Sequence, residues 1–170
     1  MRAAPNAAGE AYGLRDGPTI LSRTAEYALR AVSLLAAQSP EAPLRARDLS
    51  RETGIPAHYL AKILRRLVVS RILASQRGQG GGFVLACPPA SVRFLDVLAA
   101  VGAAPDSGRC AFGRGACDAV EPCPLHAAWA PIGEAFLQWA ATTTLAAVAA
   151  PGRSSRRLAG PRRPGLPPPA

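Results

Sequence analysis

Cys110, Cys117, Cys123 and His126 crowd one short stretch, Cys-x6-Cys-x5-Cys-Pro-Leu-His. Thiolates bind soft or borderline metals, and an imidazole can complete four-coordination. The surrounding residues 102–124 are Gly, Pro and small polar side chains, so this loop has little core of its own and something else must order it. The spacing lacks the paired CxxC of zinc ribbons and the tight CxxCxxC run of bacterial ferredoxins. Wider spacing in such a loop suits a bulky group that can be lost or modified. Spacing alone does not separate zinc from iron–sulfur, and it leaves open a metal-free thiol switch or inert cysteines. A thiol enzyme using Cys123 with His126 is a further alternative. Three cysteines exceed what that chemistry needs, and no nucleophile elbow accompanies them, so the expectation is not an enzyme. Cys87 stands apart, before Pro88 and Pro89, and reads as a thiol packed at an edge.

The second group that could act is basic. Arg45, Arg47, Arg51, Lys62, Arg65, Arg66, Arg71 and Arg77 are opposed only by Asp48 and Glu52 across residues 45–77. The half that follows, to residue 150, is slightly acidic. The total charge of +9 says less than this placement, because an Ala/Arg/Gly/Pro bias also follows from a GC-rich genome. Arginine and lysine neutralise phosphates and release counterions, and a helix fits the major groove of DNA.

The elements that must position these groups follow from periodicity. Ser22 can cap a helix through Glu26, Tyr27, Leu29, Val32 and Leu35. Pro40 to Pro43 reads as a turn, a short helix follows over roughly 45–53, and Gly54 ends it. Pro56 opens a third helix that runs to about Val69. Leu60, Ile63, Leu64, Leu67 and Val68 share one face of it, and His58, Lys62, Arg65 and Arg66 the other. Two helices joined by a tight turn, the second with a basic outer face, form the pattern of a helix-turn-helix. The bland alternative is a solvated face on an ordinary helix. Residues 72–77 and 83–86 read as two strands around the turn Gly78 to Gly82, a wing with Arg77 at its base or tip. The glycine run lacks the Lys-Ser/Thr of a phosphate loop. Residues 92–100 read as a short helix. A last helix carries Leu125, Ala128, Trp129, Ile132, Phe136 and Trp139 on one side and runs toward Leu145, with Pro131 kinking it or marking its start. The aromatic residues on it read as packing.

The expected organisation is therefore mainly α. Residues 1–19 are a disordered extension or a mis-called start, and 20–100 a winged helix-turn-helix with a two-stranded wing. Residues 101–124 are the cysteine-rich loop, 125–149 a long helix, and 150–170 a disordered basic tail with five arginines and no acid. No apolar run approaches the roughly 18 residues of a membrane span, and the N-terminus lacks the apolar stretch of a signal peptide. The expected location is cytoplasmic, where thiols stay reduced.

Residues 21–30 (LSRTAEYALR), 54–67 (GIPAHYLAKILRRL), 77–85 (RGQGGGFVL), the loop from Cys110 to His126 and residues 143–145 (TTL) together resemble the IscR/NsrR (Rrf-two) family of winged-helix regulators. The resemblance covers about residues 20–149 in order. It implies a homodimer whose residues 125–147 form the dimerisation helix, and a pseudo-palindromic DNA operator. It implies that Cys110, Cys117 and Cys123 hold an iron–sulfur cluster that senses iron–sulfur status, nitric oxide or redox state, most simply as a repressor. The fourth ligand maps to His126 or, reaching across the dimer, to Glu26. His126 is favoured because it needs no particular dimer geometry, and a Cys/His set suits [2Fe–2S] better than [4Fe–4S]. His58, Tyr59, Lys62, Arg65 and Arg66 would then face the major groove or its phosphates, and Arg77 the minor groove. Two departures stand out. The first two cysteines lie one residue further apart than in IscR-like loops. Ala61 stands where those proteins read bases with an acidic residue, so the resemblance does not fix the operator sequence.

Overall fold

The computed structural model describes residues 20–38, 42–78, 80–104, 106, 110, 112 and 122–149. The expectations for residues 1–19, for Cys117 and for residues 150–170 lie outside the described residues. The elements are α1 (Arg23–Ala36), α2 (Ala46–Thr53), α3 (Ala57–Val69), β1 (Leu73–Gln76), β2 (Gly82–Leu85), a 3-10 turn (Pro89–Ser91), α4 (Phe94–Ala100), α5 (His126–Thr142) and α6 (Leu145–Val148). This is the mainly helical winged-helix architecture expected from periodicity, with a two-stranded antiparallel sheet.

Local chemistry sets the helix ends. The Ser22 hydroxyl accepts from the Ala25 N–H at 3.2 Å and opens α1. Gly54, at φ +70, closes α2, and its N–H donates to the Ser50 carbonyl. Arg71 takes the same left-handed role after α3, at φ +59. Pro56 stands at the N-cap of α3, where its missing N–H costs nothing.

The core forms where α1, α3 and α4 turn their apolar faces together. Val32, Leu60, Leu64, Leu67, Val97 and Leu98 are almost wholly buried there. In the wing, Leu73 pairs with Leu85 and Gln76 with Gly82. Leu44, just after the expected turn at Pro40 to Pro43, makes an isolated bridge to Phe83, with N–H···O bonds of 2.8 and 3.1 Å in the two directions. A β-carbon on Gly82 would lie 2.5 Å from the Leu44 carbonyl oxygen, so the bridge requires glycine there.

The C-terminal helix departs from expectation. It does not run on to Leu145 but stops at Thr142, and Thr143 and Thr144 are extended. Thr144 bridges Arg93, the Phe94 N–H donates to the Thr143 carbonyl, and the Leu145 N–H donates to the Val92 carbonyl. These bonds outweigh continuation of the helix, and α6 then packs on α1 and the 3-10 turn. Pro131 lies inside α5.

Candidate DNA-binding face and cysteine loop

The apolar face of α3 is anchored in the core, with Leu60, Ile63, Leu64 and Leu67 buried. The opposite face is thereby forced outward, and His58, Ala61, Lys62 and Arg65 are exposed on it. Among the described residues no carboxylate pairs with Lys62, Arg65 or Arg77. Asp48 is engaged on its own helix by Arg51, at 3.1 Å. The positive charge of α3 is thus unneutralised and available to phosphate. Arg77 follows β1 at the tip of the wing, beside a turn in which the Gly81 N–H donates to the Gly78 carbonyl. Gly78 and Gly80 have φ of +97 and +85, which other residues rarely adopt.

Two residues expected on this face are turned elsewhere. Tyr59 is half-buried and packs against the core, with its ring 6.3 Å from that of Tyr27 in an edge arrangement and 4.3 Å from that of His58. Its position on the helix leans toward α1, so it supports His58 rather than standing beside it. Arg66 belongs to an exposed stretch of α3, but its guanidinium is aimed sideways: Nη1 donates to the Val101 carbonyl at 2.6 Å. Helical periodicity places a side chain on a face; it does not reveal a carbonyl within reach of a long one.

Arg30 was not anticipated as a contributor. Its Nη1 donates to the Thr53 carbonyl at 3.2 Å, tying α1 to the end of α2 inside the helix-turn-helix. It also lies 4.0 Å from the Glu26 carboxylate and above the Tyr27 ring. The i, i+4 spacing of Glu26 and Arg30 was the only signal in the sequence.

Cys110 is buried, and Cys123 and His126 are half-buried. The His126 N–H donates to the Cys123 carbonyl at 2.9 Å, so these two stand one turn apart where α5 begins. Two thiols and an imidazole are the donor types that zinc or an iron–sulfur cluster takes, so the chemistry of the set fits such a group. Among the described residues no three His, Cys, Asp or Glu side chains gather as metal ligands. Cys87 is exposed, not packed away. Its thiol lies 3.8 Å from the Arg71 carbonyl, at the edge of a cavity of about 360 Å³ lined by Leu35, Val84, Leu85 and Pro88. No helix among the described residues is long and apolar enough to cross a membrane.

Along α5, Leu125, Trp129, Ile132 and Trp139 recur at helical spacing and are exposed, Ile132 by 51%. Trp139 stacks on Phe136 and meets Phe94 edge-on, with ring centroids 5.4 Å apart in each pair. Only Ala140 of this helix is buried.

Comparison with known proteins agrees with this architecture. Residues 21–151 match the model of the Rrf2 family, described as an iron-dependent transcriptional regulator. The HTH-type transcriptional regulator IscR of Klebsiella pneumoniae is 32% identical over 114 residues, covering 67% of this chain and 69% of that protein. IscR of Escherichia coli K12 is likewise 32% identical, covering 67% and 70%. Among solved structures, CymR, the global cysteine regulator of Bacillus subtilis, aligns with a TM-score of 0.65 at 22% identity, over 78% of this chain and 97% of that one. IscR of T. potens aligns with a TM-score of 0.60 at 20% identity, over 77% and 85%. These homologues are transcription regulators, not enzymes, and the chain belongs to the Rrf2 family of winged-helix transcription regulators.

Proposed function

We propose that the chain is a cytoplasmic homodimer that represses transcription from a pseudo-palindromic operator, under the control of an iron–sulfur cluster on its cysteine loop. The carrying observation is that the unpaired basic face of α3 and the root of the cysteine loop at the end of α4 belong to one packed body, joined through Arg66 and Val101. His58, Lys62 and Arg65 lie in the major groove or on its phosphates, and Arg77 on the wing enters the minor groove. The exposed stripe of α5 supports the dimer, because an apolar face of this kind needs a partner. Two copies related by a twofold axis present two α3 helices, which is the reason for a pseudo-palindromic site.

Cys110, Cys117 and Cys123 are the thiolate ligands in this reading, with His126 as the fourth. His126 is chosen because it stands one helical turn from Cys123 at the start of α5, whereas Glu26 lies on α1. A cluster held in this way, [2Fe–2S] before [4Fe–4S], supplies a redox-active centre that also reacts with nitric oxide. The chain's own part is to present the thiolates from a loop anchored at α4 and at α5.

Anaerobic purification of the full chain tests the proposal. Visible absorbance with iron and sulfide is expected, together with an operator affinity that changes when the cluster is removed or treated with nitric oxide. Cys123→Ala abolishes the absorbance, His126→Ala alters its spectrum, and Glu26→Ala leaves it unchanged. A colourless zinc protein, or equal DNA binding in every state, overturns the sensing part. A spectrum altered by Glu26→Ala and not by His126→Ala moves the fourth ligand to Glu26.

A further inference from the structure

We propose that Arg66 is a positioning residue that carries the state of the cysteine loop to the recognition helix, α3, rather than a contact to DNA. The inference deepens the sensing reading above and rests on it.

The bond from Arg66 Nη1 to the Val101 carbonyl joins residues 35 apart in sequence. A guanidinium on a carbonyl at 2.6 Å is a short, charge-assisted bond. Val101 is 2% exposed and caps α4 at its C-terminal end. Helix carbonyls there carry partial negative charge that a cation offsets. The other closing bonds run from the Gly102 N–H to the Ala99 carbonyl and from the Ala103 N–H to the Leu98 carbonyl. Neither uses the Val101 carbonyl, and Gly102 turns the chain out at φ +69. Arg66 therefore holds the C-terminal peptide of α4, on the stretch through Ala103 from which the cysteine loop departs.

The other end of this link is the functional face. Arg66 follows Arg65 directly and stands one helical turn beyond Lys62. Leu64 and Leu67 lock the same turns into the core, so α3 responds as a rigid rod instead of fraying locally. Through this bond any displacement of the Val101 carbonyl is felt at the turns of α3 that carry Lys62 and Arg65. The loop with and without its bound group supplies the two states that such coupling requires.

The test measures operator affinity against salt for cluster-loaded and cluster-free wild type, Arg66→Met, Arg66→Lys and Lys62→Ala. Methionine keeps the packing of the aliphatic stem, and lysine keeps the charge. In Arg66→Met the ratio of loaded to empty affinity is expected to fall at least about fivefold towards unity, with the salt slope unchanged. Arg66→Lys restores part of the ratio. In Lys62→Ala the ratio stays, and the log–log salt slope falls by about 0.9 for each phosphate that the lysine had neutralised. Amide exchange at Gly102 and Ala103 is expected to quicken in Arg66→Met. If Arg66→Met instead lowers the slope as Lys62→Ala does and keeps the ratio, Arg66 binds phosphate and the proposal is overturned. Unchanged amide exchange overturns it as well, whatever the ratio. A wild-type ratio of one sinks the sensing reading and the coupling together, and the exchange result still decides whether Arg66 holds the root of the loop.

Discussion

The helices α3 and α5 use their large apolar residues in opposite ways. In α3 the apolar stripe Leu60, Ile63, Leu64 and Leu67 is buried within the chain, and His58, Lys62 and Arg65 are among the residues left outside. In α5 the apolar residues Leu125, Trp129, Ile132 and Trp139 remain outside, and only Ala140 is buried. The same pattern of spacing therefore supports two functions. A helix whose stability is secured internally is free to offer charge to a partner. A helix that leaves large apolar residues exposed offers a surface that a partner can cover, and the dimer proposed above uses the stripe of α5 in this way. The difference predicts which substitutions unfold the protomer, which separate protomers and which affect neither.

The largest effect on stability is expected in α3. Leu64 is 1% exposed, so Leu64→Ala leaves a cavity and costs about 3 kcal/mol. Urea unfolding of the variant checks the figure, and operator binding is lost in step with the folded fraction. A loss below about 1 kcal/mol would mean that the core collapses around the site, and the contrast with α5 would weaken. A smaller and different effect is expected in α5. Ile132 is exposed, so Ile132→Glu changes protomer stability by less than about 0.5 kcal/mol. It weakens the dimer by about 2 kcal/mol, roughly thirtyfold in dissociation constant, measured by sedimentation equilibrium. A variant that stays fully dimeric would move the interface away from this stripe.

Much of this was legible in the sequence, for stated reasons. Core positions of α3 follow from i, i+3, i+4 spacing, and Gly54 and Ser22 mark ends through backbone geometry and capping. These are local effects, and local effects are written in order along the chain. The turn at Thr143 was not legible, because it depends on Val92 and Arg93 lying alongside it, about fifty residues away in sequence. The inward lean of Tyr59 and the sideways reach of Arg66 were not legible for the same reason. Each is settled by a neighbour from another element: Tyr27 on α1 in one case, Val101 after α4 in the other. Leu44 was hidden differently, since the prolines before it favour a turn and say nothing about a single pairing with Phe83. For the cysteine loop, residue types alone suggest a metal without separating zinc from iron–sulfur, and the cluster stays part of the proposal.

The smallest effect on stability is expected at Lys62, and it is the sharpest test of the comparison. Lys62 is exposed, and no carboxylate among the described residues holds it, so Lys62→Ala removes no buried side chain and no ion pair. Stability should change by less than about 0.5 kcal/mol in urea. Alanine is also the better helix former, which offsets part of any packing that the lysine stem supplies. Operator binding should nevertheless weaken, and the dependence of affinity on salt should flatten by about 0.9 in log–log slope for each phosphate left unneutralised, twice that in a symmetric dimer. Sedimentation of the same variant should show an unchanged dimer, in contrast to Ile132→Glu. If Lys62→Ala leaves the salt dependence untouched, the basic face of α3 is solvated surface, and the helix that reads DNA must be sought elsewhere. If it lowers affinity with no change in slope, Lys62 touches a base edge instead of a phosphate, and the loss should then vary with the operator sequence.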